Sequence, residues 1–305
     1  MVRAVIDIGS NSIKMRIAAI NAGRVRVIRD ETEVVRLGRG MSSTGLLSQE
    51  SMKASCEAVS RMVHRASLMG AEIFIAGTMA LRTARNAAEF VKMVKDATGQ
   101  DIHIFSGEDE AKYSWLGAIE GLNLAGDAVM FDSGGGSTEF VLGSGSTINK
   151  TVSIPVGAVN LSERFFTVKD SPIKQAACDE AVNFVTKMFA DNNVEDFRTS
   201  SCQVIGVGGG VAAMASVKNA CESFSPQLLH GTILTRRDIS RQIKMYASLT
   251  LSERENVIGL PASRADVILG SACIVFTALQ VLNVPSCVVS INGLRHGLLV
   301  RAENS

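Results

Sequence analysis

A six-residue pattern occurs twice in this chain and constrains its fold more than any other feature. Asp7-Ile8-Gly9-Ser10-Asn11-Ser12 and Asp132-Ser133-Gly134-Gly135-Gly136-Ser137 both read D-x-G-x-x-S, lie about 125 residues apart, and each joins two apolar, strand-like runs. Self-similarity of this kind points to two related domains facing each other. The 305 residues are enough for two packed cores. The duplication therefore predicts one domain over 1–124 and a second over 125–305, with the last helix, about 293–305, packing back on the first.

Within each half the periodicity alternates strands and helices. Ala4 to Ile8 and Ile13 to Ile20 flank the first turn as a hairpin, and Val25 to Ile28 adds a third strand. From Ser48, an N-cap, the apolar positions Met52, Cys56, Val59, Met62, Val63, Ala66 and Met69 recur at three and four until Gly70 stops the helix. Ile73 to Ala76 reads as a buried strand. Asn86 with Glu89 makes a capping box for a helix through Phe90 and Val94, ended by Gly99. Ile102 to Phe105 is the next strand and Glu108 to Ile119 the next helix. The second half restarts with Ala128 to Phe131, Glu139 to Leu142 and Thr147 to Ile154; later, Gln203 to Val207 leads into Gly208-Gly209-Gly210 and a helix. Val267 to Leu294 carries no charged residue and is longer than a membrane span requires. Gln280, Asn283, Pro285, Ser286 and Asn292 interrupt it, so it reads as a buried helix followed by a buried strand.

Charge excludes one class of partner. Lys plus Arg number 31 and Asp plus Glu 30, so no global field marks a nucleic-acid binder, and any anion site must be local. The N-terminus runs from Met1, Val2 and Arg3 straight into an apolar run broken by Asp7, unlike a signal peptide. A cytoplasmic protein with no membrane segment is expected. Cys56, Cys178, Cys202, Cys221, Cys273 and Cys287 are scattered, without C-x-x-C pairs, and read as buried thiols. His64, His103, His230 and His296 share no ligand spacing and read as surface or satisfied core histidines. Trp115 and Tyr113 read as packing residues.

The repeated turns are the first candidates for chemistry. Consecutive Gly, Ser and Asn residues let backbone N–H groups converge on one point, which favours phosphate oxygens, although a plain hairpin uses the same residues. Gly9, Ser10, Asn11 and Ser12 form one such cradle and Gly134, Gly135, Gly136 and Ser137 the other. Asp7 and Asp132, each ending an apolar strand, are placed to hold Mg²⁺ beside that phosphate, directly or through water. Glu139, at the start of the returning strand, is either a second metal-facing carboxylate or an exposed strand residue. Gly208 and Gly209, before an apolar helix, suit an anion site or close packing of helix on strand. Arg82 follows the strand Ile73 to Ala76, on the edge where α/β ligands bind, and can clamp phosphate or lie on the surface. Glu108-Asp109-Glu110 opens a helix, where the macrodipole alone explains acids; one of them can also take a proton from an attacking water. Arg24, Arg26, Arg29, Arg36 and Arg39 guide a polyanion or line solvated faces.

In order and spacing the assembled motifs resemble the exopolyphosphatase and guanosine pentaphosphate phosphohydrolase (Ppx/GppA) family, within the actin, sugar-kinase and Hsp70 superfamily. The carriers are Val5 to Ser12, Arg36-Leu37-Gly38, Leu81-Arg82, Ser106 to Ala111, Asp132 to Glu139, Pro155-Val156-Gly157-Ala158-Val159-Asn160-Leu161, His230-Gly231 and Arg264-Ala265-Asp266. The resemblance implies an α/β fold of two RNase H-like domains around a central cleft, and Mg²⁺-dependent removal of a terminal phosphate. By motif position it implies Glu110 as the catalytic base. It also implies Asp132 and Glu139 as metal-side carboxylates, Asp7 as metal-linked through water, and Arg82 as a substrate-binding cation. The substrate implied is inorganic polyphosphate, with guanosine pentaphosphate (pppGpp) as the alternative; a kinase of the same fold and a non-catalytic sensor are more distant ones. A homodimer is implied too. The chain departs from the family pattern in three places. Gly210 and Val211 stand where the third loop usually carries a hydroxyl, Asn292 and His296 replace charged residues, and the sequence stops at Ser305, where longer relatives continue into a helical domain.

Overall fold

The structure, a computed structural model, describes residues 1–21, 24–198, 203–223 and 225–301; Cys202 lies outside them. Two compact units emerge, Met1–Gly117 with the segment from Leu294, and Ala118–Gly293.

The first unit contains β1 (Val2–Ile8), β2 (Ser12–Asn21), β3 (Arg24–Val34), α1 (Met41–Thr44), α2 (Gln49–Leu68), β4 (Glu72–Gly77), α3 (Met79–Thr83), α4 (Ala87–Thr98), β5 (Ile102–Ile104) and α5 (Gly107–Ala118). Its sheet runs β3-β2-β1-β4-β5. β1 pairs antiparallel with β2 and parallel with β4. β1 is apolar at nearly every position because both its faces are covered. Ala4, Ile6 and Ile8 join Ile13, Met15 and Ile17 in a core with Met52, Val59, Met62 and Phe90. On the other face Val5, Ala18 and Ile20 meet Leu299 of the chain's final helix, Leu294–Arg301.

Two expectations need correction here. β3 extends to Val34, well past Ile28, because its backbone pairs with β2 along its length from Asn21↔Arg24 to Ser12↔Val34. It is an edge strand with largely exposed side chains, so no apolar alternation marks it. Asn86 precedes α4 as predicted, but makes no cap hydrogen bond. Its amide instead clamps the Leu47 backbone, accepting from N and donating to O at 2.9 Å each, while Glu89 accepts from Gln49 Nε2 at 2.7 Å. Ser48 does cap α2, accepting from Ser51 N at 3.1 Å.

The second unit contains β6 (Ala128–Ser133), β7 (Thr138–Ser144), β8 (Thr147–Ile154), α6 (Ala158–Phe165), α7 (Gln175–Ala190), β9 (Gln203–Val207), α8 (Gly209–Lys218), α9 (Pro226–Leu229), β10 (Ile233–Thr235), α10 (Arg236–Ser248), α11 (Leu251–Arg254), α12 (Ile268–Val281) and β11 (Ser286–Val289). The order β8-β7-β6-β9-β11 repeats that of the first sheet, with β10 added beyond β11. The charge-free stretch resolves into α12, buried along most of its length, and β11, separated by Asn283 in a left-handed conformation (φ 56°). Among the described residues no helix is long and apolar enough to cross a membrane. The five described cysteines are free and buried, and Trp115 is fully buried. His230 corrects its expectation: it is not exposed, yet both ring nitrogens are buried without a hydrogen-bond partner.

Candidate functional site

Both repeated turns close with the same hydrogen bond. Gly9 N donates to Ser12 O at 3.1 Å and Gly134 N to Ser137 O at 2.9 Å. In both, the carbonyl oxygens of the turn are taken from behind. Ser10 O accepts from Gly38 N at 2.8 Å, and Asn11 O from Val35 N and Arg36 N at 3.2 and 2.9 Å. Gly134 O and Gly135 O accept from Ala158 N and Val159 N at 3.0 and 2.7 Å, at the start of α6. Gly136 O accepts from Asn160 Nδ2 at 3.0 Å. The carbonyl and the following N–H of a trans peptide point opposite ways. Pinning the oxygens therefore turns the N–H groups of Asn11 and Ser12, and of Gly135, Gly136 and Ser137, to the open side. Such N–H concavities suit phosphate oxygens.

In the first unit the predicted residues share the carboxyl edge of the sheet. Ile8 pairs with Gly77 and Gly77 with Ile104, so the segments after β1, β4 and β5 emerge side by side. The turn at Ser10 to Ser12 follows β1, Arg82 lies in α3 after β4, and Glu110 in the first turn of α5 after β5. Arg82 Nη1 donates to Glu110 Oε2 at 3.1 Å and to Phe105 O at 2.9 Å. The acidic run is thereby sorted. Glu108 is exposed, Asp109 is exposed and engaged with the capping Ser106 (Asp109 N to Ser106 Oγ, 3.0 Å), and Glu110 alone is turned in against Arg82. Asp7 is buried, and burial pushes its carboxyl up while Lys14 and Arg295 pull it back. Asn11 Oδ1 is buried without a donor.

In the second unit Asp132 and Glu139 stand directly opposite one another on β6 and β7. Glu139 is 2% exposed, which removes the alternative of an exposed strand residue. Two carboxylates opposed across strands repel unless a cation joins them. Hard oxygen donors of this kind fit Mg²⁺. Among the described residues no three His, Cys, Asp or Glu side chains gather into a metal-ligating group. Two carboxylates with the remaining positions left to water and phosphate oxygens match the usual habit of Mg²⁺.

The third glycine cluster adjoins Asp132, since Val207 pairs with it across β6 and β9. Close approach explains its glycines. Gly208 sits at φ 118° with its Cα side against the Ser133 carbonyl, Gly209 faces the Arg264 guanidinium and Gly210 the Ser271 side chain.

Several residues with no role assigned from sequence support these groups. Asn160 holds Gly136 O and accepts from Gly157 N at 2.8 Å. Thr138 Oγ1 donates to Val156 O at 2.6 Å, and Ser153 Oγ to Glu139 Oε1 at 2.7 Å. The only sequence signal for Gly157 and Asn160 was their membership of one motif.

A family model described as the Ppx/GppA phosphatase family matches residues 16–305. A Photobacterium profundum protein named guanosine-5′-triphosphate,3′-diphosphate pyrophosphatase is 30% identical over 97% of this chain and 58% of its own length. A Haemophilus influenzae protein named as a candidate exopolyphosphatase is 27% identical over 99% of this chain and 91% of its own. The chain spans about half the length of the longer curated relatives it matches. Among solved structures, an Aquifex aeolicus Ppx/GppA family member superposes with a TM-score of 0.81 at 28% identity, covering 100% of this chain and 98% of that one.

Proposed function

The chain belongs to the Ppx/GppA phosphatase family, and on that premise we propose that it is an exopolyphosphatase, a Mg²⁺-dependent hydrolase that removes the terminal phosphate of inorganic polyphosphate as orthophosphate. One observation carries the proposal: two turns of the same pattern have their carbonyls pinned from behind, so both present N–H groups to an anion.

Hydrolysis of a phosphoric anhydride asks the protein chiefly for positioning and charge stabilisation. Glu110, the one inward member of its acidic run, takes the proton of the attacking water. Arg82, anchored by Phe105 O, turns from Glu110 to a phosphoryl oxygen when substrate arrives. That exchange leaves the carboxylate available as a base. In each unit the N–H groups of the turn, those of Asn11 and Ser12 in the first and of Gly135, Gly136 and Ser137 in the second, donate to phosphate oxygens and stabilise charge on them. Asp132 and Glu139 would hold Mg²⁺, and the cation, when bound, would supply electrostatic stabilisation of phosphate charge.

Relatives named for guanosine pentaphosphate support a second substrate, since the 5′ terminal phosphate of pppGpp offers the same anhydride. Phosphate release from long-chain polyphosphate, pppGpp and ATP at equal concentration with Mg²⁺ tests both readings. Fastest turnover of polyphosphate supports the first, and turnover of pppGpp alone replaces it with the second. ATP-dependent phosphorylation of a sugar or acid without phosphate release would overturn both. The proposal extends to a cytoplasmic homodimer. Free buried thiols suit a reducing compartment, and a monomeric mass in light scattering would overturn the dimer.

A further inference from the structure

The duplicated sheets carry equivalent rows of three side chains across their first three strands. In the first unit the row is Asp7, Lys14 and Thr32. In the second it is Asp132, Glu139 and Ser153. Directly opposed residues lie on one face of a sheet, so each row is a line of neighbouring side chains. The first row contains its own cation, Lys14, directly opposite Asp7. The second row has two acids and no base.

We propose that Ser153 is a positioning residue whose hydroxyl orients the Glu139 carboxylate toward a divalent cation, an inference that rests on Asp132 and Glu139 holding that cation. Ser153 Oγ donates to Glu139 Oε1 at 2.7 Å, and Glu139 is 2% exposed. A buried carboxylate needs donors to remain charged. Lysine or arginine at position 153 would supply one while neutralising the acid and repelling the metal. A hydroxyl fixes one oxygen and leaves the negative charge for the cation, as partners behind metal ligands commonly do. Ser153 is reached from β8, the third strand, and so acts through Glu139.

The test is calorimetric titration of Mn²⁺ into the substrate-free protein, with wild type, Ser153→Ala, Ser153→Thr, Ser153→Val and Glu139→Gln compared. Thr and Val have the same shape and both suit a strand, so that pair isolates the hydroxyl even if the alanine variant folds poorly. Removing such a partner weakens metal binding about 10- to 100-fold. The expected result is near wild-type affinity for Ser153→Thr and that loss for Ser153→Val and Ser153→Ala. Equal affinity of the Thr and Val variants, with binding lost in Glu139→Gln, overturns the role of Ser153 alone. Wild-type affinity in Glu139→Gln overturns the metal assignment beneath it.

Discussion

Replacing Gly157 by alanine should disable the second turn without removing any group proposed to contact substrate, since the added Cβ would press on Gly136 N. Gly157 lies in extended backbone, so a side chain there brings no conformational strain. The obstacle is space. A Cβ at this position would stand 2.5 Å from Gly135 C and 2.6 Å from Gly135 O, where ordinary contact begins near 3.4 Å. These are backbone atoms of the turn and cannot rotate away. Either the turn or the start of α6 must retreat by about 1 Å, which stretches the hydrogen bonds from Ala158, Val159 and Asn160 that pin the three carbonyls. A shift of that size in a positioning element costs about 100-fold in rate, or roughly 2.7 kcal/mol of transition-state stabilisation. Overpacking should also lower stability by about 1–3 kcal/mol. The assay is steady-state phosphate release from polyphosphate beside a thermal melt. Val185→Ala serves as the control, since Val185 is fully buried in α7 and its truncation lowers stability without reaching the turn. Loss of kcat in Gly157→Ala, with kcat retained in Val185→Ala at a comparable drop in melting temperature, is the expected outcome. A Gly157→Ala enzyme with kcat within twofold of wild type would show that the pinned turn does not position the reacting phosphate.

Other expectations are equally direct. Glu110→Gln keeps the shape but loses the proposed base, and should lower kcat by about 10²–10⁴-fold with little change in melting temperature; unchanged hydrolysis would remove Glu110 from the mechanism. Arg82→Lys keeps a charge but cannot hold Phe105 O and a phosphate together, so KM for polyphosphate should rise more than kcat falls, and equal KM values would contradict a substrate role. Asp238 is a stability probe. Burial works to raise its carboxyl, but hydrogen bonds from Lys218 and Thr235 outweigh that and pull it to about 2. A depressed folded value adds stability that is present above the unfolded value and lost as pH falls from about 4 toward 2, about 1 kcal/mol once solvent screening of this surface pair is allowed for. Asp238→Asn should therefore be less stable at pH 7 and converge on wild type near pH 2 in chemical denaturation; a constant gap would refute the linkage.

Much of the framework was legible because it is written locally. The Gly70 and Gly99 stops are single residues at positive φ, and the Ser48 cap is made within three residues of sequence. Asn86 shows the limit of local inference. Its spacing to Glu89 fits a capping box, but Leu47, 39 residues away, offers both a donor and an acceptor to the same amide. β3 was shortened for a related reason, since an edge strand is specified by the backbone of its neighbour and leaves its side chains free to be polar.

The candidate residues of the two units divide along the same line. The repeated D-x-G-x-x-S pattern was enough to announce a duplicated α/β architecture and to nominate Asp7, Asp132 and both turns, because a tight turn at a strand end needs particular residues in consecutive order. Which member of Glu108-Asp109-Glu110 turns inward could not be told from three adjacent acids. The contact with Arg82, 28 positions away, distinguishes Glu110. Nor could the burial of Glu139, its hydrogen bond from Ser153, or the grip of α6 on the glycine carbonyls be read in advance. Each depends on strand register and on where a helix begins in space, and those are set when the whole chain packs its apolar faces, long after local preference has been spent.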